Sequence, residues 1–123
     1  MADKAQAYNS FWNSFSLPAY DQNTVPSSAP LPYITYEYAE SDFGRPAMLM
    51  ASLWYRDSSW AAITQKSKEI SDFIGFGGTI LHYDGGALWL KRGNPFSQRM
   101  DEPNDFTIRR ILLNVEVEDL AQN

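Results

Sequence analysis

The chain has 123 residues, 44% apolar, 20% charged and 15% aromatic, which suits one folded domain spanning 1–123 and excludes wholesale disorder. Ten Lys and Arg against fifteen Asp and Glu leave a formal charge of −5, a poor balance for general nucleic-acid binding, which depends on cations neutralising phosphates. With no cysteine and a single histidine, disulfides, thiolate metal sites, a Cys nucleophile and a two-His metal site within one chain are all excluded. No apolar run approaches the roughly 20 residues that span a bilayer, and the polar start, MADKAQAYNS, lacks the apolar stretch of a signal peptide, so the cytoplasm is the expected compartment.

The N-terminal segment (1–16) reads as a short helix over 3–15. Asp3 is a candidate N-cap, and Tyr8, Phe11, Trp12 and Phe15 form one apolar stripe at spacings of three and four. Pro18 closes it. Residues 17–32 carry four prolines (18, 26, 30 and 32) and no periodicity, which predicts an extended arm lying either on its own domain or on a neighbouring subunit.

Residues 33–118 read as an α+β core. YITYEYAES (33–41) and AMLMASLWYR (47–56) are strand candidates, joined through Gly44 and Pro46 into an antiparallel hairpin. In the second strand Leu49, Ala51, Leu53 and Tyr55 share one face; Met48, Met50, Ser52, Trp54 and Arg56 share the other. Both faces are mostly apolar, so one is expected to meet a helix and the other a second sheet layer or another chain.

Residues 59–74 form the clearest helix. Ser58 or Ser59 can cap it, Trp60, Ile63, Ser67, Ile70, Phe73 and Ile74 point inward, and Gly75, Gly77 and Gly78 end it. TILHY (79–83) and ALWLKR (87–92) flank Asp84-Gly85-Gly86 as a second hairpin. A loop is expected over 93–105, and a last strand over about 106–118, with Ile111, Leu113, Val115 and Val117 on its buried side. The expected architecture is an antiparallel or mixed sheet of about five strands, with one long amphipathic helix across it and a short N-terminal helix, in the order α-β-β-α-β-β-β.

Catalytic signals are weak throughout. The Gly77-Gly78 cluster leaves a helix C-terminus, whereas a phosphate cradle enters an N-terminus, and Gly85-Gly86 sits in a hairpin. His82 lies mid-strand with no orienting partner evident. Asp101, Glu102 and Asp105 lack Ca²⁺-loop spacing, and Pro103 interrupts them; a solvated acidic loop explains them better, with capping of the loop or termination of the neighbouring turn by an Asp or Asn left open. The residues thus predict no catalytic, cofactor or metal site, and no enzyme.

Lys91, Arg92, Arg99, Arg109 and Arg110 are half of the basic residues and surround the 93–105 segment. Arginine and aromatic side chains are typical anchors of protein interfaces, and seven Phe, seven Tyr and four Trp are more than so small a core absorbs. Phe43, Arg45, Arg92, Phe96, Arg99 and Met100 are therefore the candidate interface residues. A ligand-binding α+β domain, with a pocket drawn from His82, Tyr36, Tyr38, Tyr83 or Arg109, is the alternative from another class.

Several strings share a resemblance. Val25-Pro26 leads into Leu31-Pro32-Tyr33-Ile34-Thr35-Tyr36; Leu53-Trp54-Tyr55-Arg56-Asp57-Ser58-Ser59-Trp60 makes a strand-to-helix passage; Gly77-Gly78, Ala87 to Gly93 and Ile108-Arg109-Arg110-Ile111 follow in order. Over roughly 17–118 the chain resembles the tail terminator (tail completion) family of tailed bacteriophages and prophages. The resemblance implies a structural α+β subunit of the virion neck, assembled in the bacterial host cytoplasm. Its copies close into a ring, usually a hexamer, that caps the tail tube, stops its polymerisation and docks the head–tail connector. The expected partners are further copies of itself, the tail tube protein and the connector protein. On the same resemblance, double-stranded DNA is expected only to pass through the lumen, with no membrane involved. A neighbouring role, as connector or other minor neck protein, fits the same strings.

Overall fold

In the computed structural model, which describes residues 2–40 and 45–120, a six-stranded sheet carries two helices on one face. The elements are α1 (Lys4–Trp12), a 3₁₀ turn (Asn13–Phe15), β1 (Ala19–Asp21), β2 (Tyr33–Tyr36), β3 (Ala47–Arg56), α2 (Ala61–Ile74), β4 (Thr79–Tyr83), β5 (Gly86–Met100) and β6 (Ile108–Asp119). The strand order is β1-β2-β3-β6-β5-β4, with β1–β2 parallel and every other neighbouring pair antiparallel.

Local chemistry accounts for the helices. The Asp3 carboxylate accepts from the Gln6 amide at 2.8 Å while the Gln6 side chain accepts from the Asp3 amide at 3.0 Å, a reciprocal cap on α1. Tyr8, Phe11, Trp12 and Phe15 are all buried, as their spacing predicts. In α2 the Ser59 hydroxyl accepts from the Ala61 amide, Ile63, Ser67, Ile70 and Ile74 are buried, and Gly75 ends the helix at φ +75°. Ile34, Leu49, Leu53, Leu88, Leu90, Ile111, Leu113, Val115 and Val117 complete the core beneath both helices.

Four expectations need correction. The sheet has six strands rather than about five, because Ala19–Asp21 inside the proline-rich arm pairs with β2; that arm lies against its own domain at this point. The first hairpin strand stops at Tyr36 instead of continuing to residue 41. The 93–105 loop is mostly strand: β5 continues to Met100, crossing Gly93 and Pro95 by a register shift between Arg92 and Ser97. Glycine and proline mark a bulge there, not a strand end. Phe73 is 56% exposed; it sits roughly 80° round the helix from the Ile63–Ile74 line and touches Phe11 and Phe15 at the rim, with ring centroids 6.1 and 5.4 Å away.

A charged clasp ties the chain ends together. Lys4 Nζ lies 2.6 Å from Asp119 Oδ2 and 3.0 Å from Glu40 Oε1, while Tyr83 donates to Asp119 and Tyr38 to Glu40. Hydrogen bonds to Asp119 and then Glu40 raise the Lys4 pKa, and the Lys4 ammonium holds Glu40 below the usual carboxylate range. Desolvation, then the bond to Glu40, pushes the Tyr38 phenol up to about 12. The Glu40 contribution is therefore present above its unfolded value near 4.3 and lost as pH falls through the lower folded value; that of Lys4 is complete below about 10.4 and lost as pH rises through the higher folded value. Lys4→Met should be less stable near neutral pH and lose less on acidification than the parent, which thermal melts between about pH 2 and pH 7 would show.

Candidate protein interface

β4 covers only Gly86–Leu90 of β5, so Lys91–Met100 forms a sheet edge running past α2. Four of the sequence-derived candidates lie on it. Arg92 donates from Nη1 to Ser71 Oγ at 2.9 Å, pinning the last turn of α2. Phe96 is half-buried against the core. Arg99 is exposed and stacks over Trp60, 4.8 Å from the ring centroid. Met100 is half-buried in a groove that it shares with Trp60, Phe106 and Arg109. Arg45 is exposed just ahead of β3, at the Val117 end of β6, and so about 20 Å along the strands from Met100, which pairs with Arg110. Phe43 falls outside the described residues.

Trp60 anchors the end of the edge. Arg109 also stacks on its ring, at 5.4 Å, and donates to the carbonyls of Phe106 and Ser58 at 2.9 and 3.0 Å. Two guanidinium groups on one indole hold the start of α2 against the β5–β6 turn. In that turn the Asp105 carboxylate accepts from the Thr107 amide and hydroxyl and from Arg56; these bonds, the Thr107 hydroxyl foremost, hold its pKa low. Of the three acidic residues Asp105 locks the turn, while Asp101 is exposed as a solvated acidic loop predicts. Phe106, next to the lock, is 85% exposed, and Phe76, after α2, is fully exposed. Neither shows a sequence signal beyond an aromatic flanked by turn residues.

On the face opposite the helices, Met48 and Met50 are 58% and 44% exposed, and no second layer covers them among the described residues. Sequence alone did not say which β3 face meets the helices; the Leu49–Leu53 side does, and the Met48–Met50 side is left open. Part of it is closed by polar bonds. Trp54 donates to Thr35 Oγ1 at 2.9 Å, Arg110 stacks on Trp54 at 4.7 Å, and Arg110 Nε donates to Ser52 Oγ at 3.1 Å. Thr35 and Ser52 are buried beneath that pair. Glu102 and Glu116 lie near Arg110 and Lys91, at 3.7 and 3.6 Å.

The residues of the alternative ligand pocket do not converge. His82 is exposed on β4, opposite Ala87; Arg109 is at the far end of β6, roughly 30 Å away along the strands. Tyr36 is buried, with its hydroxyl accepting from Asn9 at 2.7 Å. Tyr38 and Tyr83 serve the Lys4 clasp. Among the described residues no group of three His, Cys, Asp or Glu is placed to hold a metal ion, and no helix is long and apolar enough to cross a membrane.

No family model matches the chain, and no curated protein matches it. Among solved structures, a chain of the virion of a native gene transfer agent (GTA) particle is similar, with a TM-score of 0.61 at 20% identity, over 98% of this chain and 87% of that one. At that identity the likeness is one of fold.

Proposed function

We propose that this chain is a structural subunit of a tailed, phage-like virion, and within it a tail terminator. Copies would close into a ring, a hexamer on the sequence resemblance, that caps the tail tube and offers a docking surface to the head–tail connector. The observation carrying this reading is the fold shared over nearly the whole chain with a subunit of a GTA virion particle. The ordered strings from Val25 to Ile111 agree with it, and so does surface rich in Phe, Met and Arg outside the core. In this reading the chain performs no catalysis and needs no cofactor. Its net charge of −5 suits a channel through which DNA slides without sticking.

Electron microscopy of particles assembled without the protein tests the role. Overlong tails support a terminator; tails of normal length beside unjoined heads overturn that role in favour of a connector. The interface residues have their own test. The double variant Phe96→Ala, Arg99→Ala should weaken assembly while the monomer stays folded. Loss of a half-buried Phe costs about 1–2 kcal/mol, against the roughly 5–15 kcal/mol that holds a domain together. Circular dichroism with light scattering reads both properties; an unfolded double variant would make these side chains core and the assignment wrong.

A further inference from the structure

We propose that copies of this chain meet head to tail through opposite edges of their sheets, the Asp21 edge of one against the Ser97–Met100 edge of the next. The proposal deepens the assembly reading above, on which it rests, by naming the surface and its chemistry.

The two edges differ sharply in charge. From residue 5 to residue 44 the chain has no Lys or Arg, while Asp21 and Glu37 stand on the β1–β2 side of the sheet; among the described residues neither is in an ion pair. The other edge carries Arg92 and Arg99, with Arg109 behind them on Trp60; none of these three is in an ion pair among the described residues either. Four strand spacings lie between the edges along the sheet, and among the described residues no ion pair joins Asp21 to Arg92, Arg99 or Arg109 within one copy.

Register makes the edges level. Asp21 lies opposite Tyr36, Tyr36 opposite Ala51, Ala51 opposite Leu113, and Leu113 opposite Ser97. The adjacent rows run from Tyr20 to Gln98 and from Ala19 to Arg99. Asp21 shares the side of buried Ala19, and Arg99 shares the side of buried Ile111, so both project on the helix-bearing face. A copy placed beside another along these rows therefore sets Asp21 against Ser97–Arg99 on the same face.

Pairing of like edges is disfavoured, because it would bring Arg99 against Arg99 or Asp21 against Asp21. Head-to-tail contact is the kind that closes rings. Backbone pairing contributes little here. The Asn13 side chain already bonds the Ala19 amide and carbonyl, Thr24 takes the Asp21 carbonyl, and β5 is bent by its bulge and Pro95. The contact is one of side chains, and salt should weaken it.

Self-association of the full chain, followed by sedimentation across micromolar to millimolar concentrations, tests this with Asp21→Arg, Arg99→Glu and their combination. Each single reversal should weaken association at least about tenfold, and the combined variant should restore it to within about threefold. A one-to-one mixture of the two single variants should also associate, because Arg at position 21 then meets Glu at 99 and the native pair forms at the alternate contacts. Rescue by mixing cannot come from an unfolded chain, so it separates lost contact from lost fold. A parent that associates while the reversals have no effect, or single variants that fail to recover on mixing, would overturn this interface and leave the assembly reading standing. A parent that stays at 14.0 kDa throughout would overturn self-assembly itself.

Discussion

Replacing Trp12 by alanine is expected to cost about 3–5 kcal/mol of folding stability, the largest effect of any single side chain in α1. Trp12 is wholly buried where α1 meets the sheet, with Phe11 at 4.9 Å and Tyr8 at 6.2 Å between ring centroids, both in edge-on geometry. A nine-residue helix is too short to stand alone in water, so α1 persists only through this stripe. Losing the indole would leave a large cavity between α1 and the strands. Trp12→Phe should cost much less, because a phenyl ring refills most of the space that the indole occupies and keeps the edge-on contacts with Tyr8 and Phe11. Urea titrations of the two variants beside the parent check the ranking; equal costs would mean that α1 contributes little to the core.

Gly78→Ala is expected to destabilise by about 3 kcal/mol, although a glycine at the end of a loop looks replaceable. Its φ is +86°, in the left-handed region, and an added Cβ would lie 2.7 Å from the Leu90 carbonyl oxygen and 2.7 Å from Trp89 Nε1. The Leu90 oxygen belongs to the β5 backbone and cannot move aside without disturbing the β4–β5 ladder. Trp89 is meanwhile held by its bond to the Gly77 carbonyl at 2.9 Å and by Lys91 over its ring at 4.2 Å. Gly77 is the internal control: nothing lies within 4 Å of its added Cβ, so Gly77→Ala should change stability by less than about 1 kcal/mol. Thermal melts of the pair decide whether close approach or mere loop composition governs the double glycine.

The contrast shows where sequence reading succeeds. Helix termination at Gly75 and the packing stripe of α1 follow from local spacing, because an α-helix repeats every 3.6 residues and its caps lie next to it in sequence. β3 was legible from Ala47 to Arg56 because its own alternation and apolar content extend over that whole span. β1 was not legible: three residues among prolines become a strand only because Tyr33–Tyr36 offers a parallel edge. The second half of β5 was hidden for a related reason. Gly93-Asn94-Pro95 reads as a loop, yet the strand continues because β6 runs alongside, and the side-chain amide of Asn114 bonds the Pro95 carbonyl across the bulge.

The candidate interface divides along the same line. Arg92, Phe96, Arg99 and Met100 were chosen as anchors on an expected exposed loop; the structure places them instead on β5, along an edge that β4 leaves uncovered, with Arg99 exposed and the other three half-buried. Phe76, Phe106 and the matching of Asp21 with Ser97 across the sheet had no local signature, since exposure and register are set by neighbours distant in the chain. By itself the sequence determined the class, α+β, the charge, the exclusion of thiol chemistry and the two amphipathic helices, all of which depend on composition or on contacts within a few residues. Only the tertiary structure decided strand order, the sixth strand and which arginines reach a free edge, because strand pairing costs entropy that no local propensity repays and is settled by the whole core at once.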